Sequence, residues 1–255
     1  MTALTGRVAL VTGASHGAGV DVAIALARAG ARVAVHYRSD RAAALRVVAG
    51  IRDGGGLAEA FGADVSRAGE IEAMLTSVTE RLGAPAIAVN CAGPFNDTPF
   101  LRLGEAEWDY VMNANLKAVY LVARLVAGEM GRAGWGRIVN VGATSGLVRS
   151  HGVYGLAKGA LLHLTAALAL ELAPAVTVNA VVPSQIASPR TDAMAAYKAA
   201  AIAGTPLGRL VTQEEIARMV VRLCEPEFDF VTGQAIVMDG GRTIPRFPKL
   251  GVVQD

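Results

Sequence analysis

Tyr154 and Lys158 stand four residues apart in Y154-G-L-A-K158, so on a helix the phenol and the ammonium share one face. A free phenol titrates near ~10 and is a poor acid or base at neutral pH, but a neighbouring ammonium favours its ionised form and lowers that value. The pair therefore suits proton transfer at an oxygen, with Tyr154 giving a proton to a carbonyl in one direction and taking it from an alcohol in the other. A YxxxK pair is also common on helix surfaces, so its meaning depends on its company. Hydroxyls precede it in A143-T-S145, and His151 lies three residues upstream as a second acid or a substrate contact.

Such a pair needs a bound reactant, and V11-T-G-A-S-H-G-A-G19 offers a place for a phosphate. Gly13 suits a sharp turn out of a strand, Gly17 lets backbone approach a pyrophosphate, and Gly19 lets the following helix pack closely. That helix presents free N–H groups and the positive end of its dipole to an anion. A strand-to-helix turn alone also favours glycine. The end of the next apolar run, H36-Y-R-S39, adds a cation where an acidic residue would meet a free ribose hydroxyl. Arg38 and Ser39, with Ser15 or His16 from the glycine loop, are suited to clasp a 2′-phosphate by charge-assisted hydrogen bonds, which favours NADPH. Asp40 keeps NADH open.

The elements that must position these groups alternate along all 255 residues. Runs rich in Val, Ile and Ala at 8–11, 33–37, 57–62, 86–90, 137–141, 177–182 and 235–238 predict seven strands. Helical spacing of apolar residues over 18–29, 41–53, 67–82, 105–131, 153–173 and 213–224 predicts the helices between them. Strand–helix alternation predicts an α/β fold, a doubly wound parallel sheet with right-handed crossovers and helices on both faces. Such a sheet binds ligands at the carboxyl ends of its strands. Asp40 is placed to cap the helix from 41, Gly54-Gly55-Gly56 to end it, and Pro174 to close the long helix before the sixth strand.

Composition narrows the class. At 53% hydrophobic and 18% charged, with no linker-like stretch, residues 1–255 read as one domain able to bury a sizeable core. A net charge of +2, from 24 basic and 22 acidic residues spread along the chain, gives no basic stripe for nucleic acid. Cys91 and Cys224 are too few for a disulfide framework. No secretory leader is expected, nor any segment that spans a membrane, and a reducing cytoplasm is the expected setting. No metal is called for. The tail 242–255, with Pro245 and Pro248, reads as an extended arm.

Four further signals follow in order: Asp64-Val65, N90-C-A-G93, Asn115 and D239-G-G241. With TGxxxGxG and YxxxK they give the chain a resemblance to the short-chain dehydrogenase/reductase family over nearly its whole length. The resemblance implies a Rossmann fold, and that Asp64 and Val65 hold the adenine while Asn90, Ala92 and Gly93 line the cofactor. It implies that Lys158 both tunes Tyr154 and holds the ribose hydroxyls, and that Asn115 supports a proton relay through water. It also implies homotetramers or homodimers built partly on the helices 105–131 and 153–173.

One catalytic member is irregular. The family carries a serine after the fifth strand that polarises the substrate oxygen, and aligning R137-I-V-N-V-G-A-T-S-G146 with that pattern puts Ala143 in its place. The loop to Tyr154 is also shorter than the family's. Ser145, with Thr144 close behind, is the preferred replacement hydroxyl; the other reading of Ser145 is a turn residue bonded to local backbone. After the sixth strand, P183-S-Q-I-A-S-P189 replaces the family's more usual Pro-Gly turn, so that Pro183, Ile186 and Ser188 would meet the nicotinamide end. Residues 190–203, with Met194 and Tyr197, read as a lid over the substrate.

H36-Y-R-S39, Pro94-Phe95 and V178-N-A-V-V-P-S184 also resemble the pteridine reductase branch, where an aromatic at Phe95 stacks on the pterin. That branch often has an acidic residue where this chain has Ala143, and Phe95 serves equally as an apolar wall. The expected function is NADPH-dependent hydride transfer to a ketone or cyclic carbonyl. A pteridine-type C=N reduction is the alternative, and an NADPH-binding protein with little turnover is the alternative from another class.

Overall fold

The computed structural model describes residues 3–148 and 150–245; the expected arm beyond 245 lies outside the described residues. The first strand, β1 (Val8–Thr12), is apolar on both faces and fully buried, as a central parallel strand must be. Ala9 and Val11 enter the core on one side of the sheet, while Val8 and Leu10 enter the core on the other. This period of two is why helices have to cover both faces.

In chain order the elements are α1 (Ala18–Arg28), β2 (Arg32–Tyr37), α2 (Arg41–Asp53), β3 (Leu57–Gly62), α3 (Ala68–Leu82) and β4 (Ile87–Asn90). A second half follows with α4 (Glu105–Met112), α5 (Ala118–Arg132), β5 (Gly136–Val141), α6 (Ser145–Val148), α7 (Gly152–Leu172) and β6 (Val176–Pro183). It closes with β7 (Ile186–Ala187), α8 (Pro189–Asp192), α9 (Ala195–Ala203), β8 (Val211–Thr212), α10 (Gln213–Arg222) and β9 (Ala235–Met238). The main sheet runs β3-β2-β1-β4-β5-β6-β9, every pair parallel. This is the doubly wound, seven-stranded Rossmann architecture. Strand order reverses between β1 and β4, which opens a crevice at their carboxyl ends.

All seven expected strands are present, and Asp40 caps α2 by accepting from the Ala43 N–H at 2.8 Å. The expected helix 105–131 is interrupted: residues 113–117 form a π-turn between α4 and α5. There the Asn115 Nδ2 donates to the carbonyls of Val111 and Pro94, both at 3.0 Å. Helical periodicity cannot report this widening, because one of its partners comes from the loop after β4.

α7 is 21 residues long and apolar enough to cross a bilayer by length and composition. In the fold it packs against β6 and the π-turn and carries the buried Lys158 on its inner side. Its apolar character thus serves the core on one face.

His36, at the end of β2, is buried, and its ring is used at both nitrogens. Nδ1 accepts from the Gly13 N–H at 2.9 Å, which leaves Nε2–H to donate to the Ala63 carbonyl at 3.0 Å. This pins the glycine loop to β2 and to the exit of β3. Burial holds His36 below the ordinary imidazole value, opposed by the Ala63 bond and the Asp64 charge. The unfolded chain therefore takes up a proton below about pH 6.5 that the folded chain refuses, and stability falls with pH there by up to ~1.4 kcal/mol per unit. Thermal melts between pH 7 and 5 should show this one-proton slope. It should be absent in His36→Asn; an equal slope in the variant would assign the effect elsewhere.

Candidate functional site

The crevice is set by backbone crowding. Gly13 sits at φ +68, and a Cβ there would stand 2.9 Å from the Ala92 Cα. Beside it the Thr12 hydroxyl accepts from the N–H groups of Cys91 and Ala92, both at 3.1 Å. The exits of β1 and β4 are locked together, and the helix N-terminus of α1 opens onto the gap.

From this point a continuous trough runs along the carboxyl edge of the sheet. Its first part, at the end of β2, is lined by Ser15, His16, Arg38, Ser39, Asp64 and Val65. Its middle is a cleft of about 640 Å³ that reaches Gly17, Gly19, Tyr154, Lys158, Ile186 and Ser188. Gly13, His16 and Gly93 are common to both parts. The last part, about 290 Å³, shares Ala143, Tyr154 and Pro183 with the middle and extends to Phe95, Thr144 and Tyr197. Ala92, like Gly93, faces the first part.

At the outer end the charges are already sorted. The Asp40 carboxylate is taken up by the Ala43 N–H and by His16, 3.3 Å away. The Arg38 guanidinium lies 5.5 Å above the Tyr110 ring and has no ion pair among the described residues. Burial raises Asp64, but bonds from the Ser66 hydroxyl and N–H, with the Arg38 and Arg67 charges, bring it below its ordinary value.

At the inner end Tyr154 lies on the first turn of α7, with Phe95 edge-on at 5.1 Å between ring centroids. His151 holds the other edge contact with Phe95 at 5.4 Å; its backbone is left-handed at φ 64, an uncommon conformation for a residue other than glycine. Lys158 is buried and its Nζ donates to the Val141 carbonyl at 2.8 Å, lying 5.6 Å from the Tyr154 ring centroid.

The electrostatics differ from the sequence expectation that Lys158 lowers the phenol. Burial pushes Tyr154 up to about 12, with the Arg190 charge pulling the other way. Burial also pushes Lys158 down to about 8, opposed by the Cys91 thiol. One low-dielectric environment thus keeps the phenol protonated and makes the ammonium easy to deprotonate.

Asn115 has its Nδ2 spent on backbone carbonyls, while its Oδ1 is buried without a partner, facing Gly93. Ser145 is the first residue of α6, a short helix that the sequence reading took for loop; its Oγ is buried and also unpartnered. Thr144 lines the inner cleft beside it. Ser188 caps α8 through the Thr191 N–H, and still borders the middle cleft.

One expected residue is used elsewhere, and another stands at the surface. Asn90 donates to the Asn140 Oδ1 at 2.8 Å inside the sheet, so it ties β4 to β5 rather than facing the trough. Met194 is the N-cap of α9 and is exposed. Sequence reasoning missed Arg190 and Arg242. Arg190 stacks 5.4 Å above Phe95, and Arg242 borders the inner cleft while bonding the Ala201 carbonyl of α9 at 2.7 Å. The DGG landmark pointed at the turn holding Arg242, but no periodicity says where that side chain goes.

Residues 13–243 match the family model described as enoyl-(acyl carrier protein) reductase. The chain belongs to the short-chain dehydrogenase/reductase family. A 3-oxoacyl-[acyl-carrier-protein] reductase from Synechocystis is 38% identical over 94% of this chain and 98% of its own length. The short-chain reductase protein NovJ from Streptomyces niveus is 37% identical, covering 92% of this chain and 93% of its own. A crystal structure of a gluconate 5-dehydrogenase from Burkholderia cenocepacia, in complex with NADP and tartrate, superposes with a TM-score of 0.88 at 30% identity, over 95% of this chain and 97% of that one.

Within this family fold, Gly93 is where the loop after β4 meets the side chains of Asn115 and Lys158. A methyl group there would fall on the Asn115 Oδ1 and stand 3.4 Å from the Lys158 Nζ. Gly93→Ala should therefore displace Asn115 and cost ~1–3 kcal/mol of stability. Denaturant unfolding checks this; an unchanged midpoint would show that the loop yields freely.

Proposed function

We propose that the protein is an NADPH-dependent reductase of a small carbonyl compound, with Tyr154 as the proton donor. The observation that carries it is the single trough, open from the unpaired Arg38 at one end to the protonated Tyr154 and buried Lys158 at the other. NADPH fits that trough. The free guanidinium of Arg38, with Ser39, Ser15 and His16, would hold the 2′-phosphate, and Asp64 and Val65 would border the adenine. The α1 N-terminus would face the pyrophosphate, and Gly93, Pro183, Ile186 and Ser188 would border the nicotinamide end. When bound, the nicotinamide supplies the hydride.

The chain's own residues do the rest. Tyr154 Oη, kept protonated by burial, donates to the carbonyl oxygen as negative charge develops there. Lys158, fixed by the Val141 carbonyl, has two remaining N–H donors for ribose hydroxyls and returns a proton toward Tyr154. Asn115 offers its unpartnered Oδ1 to a water in that relay. Thr144 and Ser145 both border the inner cleft, and the unpartnered Ser145 hydroxyl is free to bond a substrate oxygen. His151 and Tyr197 are the further substrate contacts, and α8 with α9 forms the lid.

NADP in the Burkholderia structure supports the cofactor choice. Pterin stacking is disfavoured because one face of Phe95 is covered by Arg190. We place the protein in the cytoplasm as a homodimer or homotetramer; the apolar groove between Leu116 and Tyr120 of one helix region and Leu164 of α7 supports such an assembly.

Tyr154→Phe should lower kcat for carbonyl reduction by ~100-fold or more while NADPH still binds, read by turnover and cofactor fluorescence. NADPH bound with no turnover of any carbonyl, in the native protein and the variant alike, would leave a binding protein. In the native enzyme kcat/KM should fall as pH rises through about 8, where Lys158 loses its charge; a flat profile would remove Lys158 from the relay. Arg38→Ala should weaken NADPH by ~10-fold or more relative to NADH, and equal weakening of both would undo the phosphate assignment.

A further inference from the structure

The charge around Tyr154 is one-sided. Arg190 flanks it from the middle cleft, over the ring of Phe95, and Arg242 borders the inner cleft from the turn after β9. Among the described residues, no Asp or Glu lines the inner cleft. The nearby carboxylates are already engaged: Asp192 pairs with Lys198, and Asp239 accepts from the Gly241 N–H and from Thr243. Neither Arg190 nor Arg242 has an ion pair among the described residues. Each has another use, Arg190 stacking on Phe95 and Arg242 bonding the Ala201 carbonyl, but a guanidinium carries five N–H donors, and these uses leave most of them free.

Arg190 is exposed and Arg242 half-buried, and their spare N–H donors flank the space in front of Tyr154, where an anionic group of a bound molecule would meet charge-assisted hydrogen bonds. The inner cleft, about 290 Å³, has room for a small one. We infer that the substrate is a small keto acid, its carboxylate held by Arg190 and Arg242 while its carbonyl faces Tyr154. This rests on the reductase reading above and specifies its substrate. The planar fork of arginine accepts a carboxylate in a bidentate manner, which fixes the carbonyl relative to the phenol as well as adding affinity. A neutral ketone or ester makes no such pair. Discrimination between the acid and its ester follows from the lost charge-assisted bonds, about 10-fold or more.

The test compares acetoacetate with methyl acetoacetate in NADPH oxidation, and titrates tartrate by calorimetry onto the NADP-loaded protein. Acetoacetate should exceed its ester in kcat/KM by ~10-fold or more, and Arg190→Gln and Arg242→Gln should each collapse that ratio through KM. An ester reduced as well as the acid, or a ratio that both substitutions leave intact, overturns the proposal. If neither compound is reduced, tartrate decides: binding that weakens in both variants upholds the carboxylate site while the reductase reading fails. Tartrate that does not bind, or binds equally to all three proteins, overturns it. Circular dichroism of both variants guards against a folding defect.

Discussion

The whole site depends on how closely two backbones can approach. Where strand order reverses, the exits of β1 and β4 meet with Gly13 against Ala92 and the Thr12 hydroxyl closing both neighbouring N–H groups. A side chain at position 13 would force them apart. Because they stay together, the N-terminus of α1 and the loop through Gly93 open onto the same gap, and the unpartnered oxygen of Asn115 is brought up to that loop from the π-turn. The glycine loop, the loop through Gly93 and Asn115, far apart in sequence, are thereby neighbours.

Burial then divides the chemistry between two residues that a simple pair argument would couple directly. The low dielectric around α7 penalises charge of either sign, so it raises Tyr154 and lowers Lys158 at once. The ammonium is anchored on a backbone carbonyl rather than on the phenol oxygen. The two groups are held separately, with the unpartnered Oδ1 of Asn115 and the Lys158 Nζ both close to Gly93.

Much of this was legible in the sequence because it is local. Apolar strands, helix periods and the Asp40 cap depend on neighbours within a few residues, and apart from the break in 105–131 they are found where expected. What was hidden depends on partners distant in the chain. The π-turn at Asn115 rests partly on the Pro94 carbonyl, and Asn90 is diverted to Asn140 on the next strand. Arg242 reaches the cleft through a turn whose glycines were visible but whose side-chain direction was not. At A143-T-S145 the order of residues names the candidate hydroxyls without saying which reaches the cleft; Thr144 and Ser145 both border it, and the Ser145 oxygen is left without a partner.

The ring of His36 divides the end of β2 into two independent parts. Both His36 nitrogens are spent, on the Gly13 N–H and the Ala63 carbonyl, while the side chains of Arg38 and Ser39 border the first part of the trough. Loss of the imidazole would therefore loosen the glycine loop and the exit of β3 together, whereas the Arg38 side chain holds no ion pair among the described residues and can change without breaking either bond.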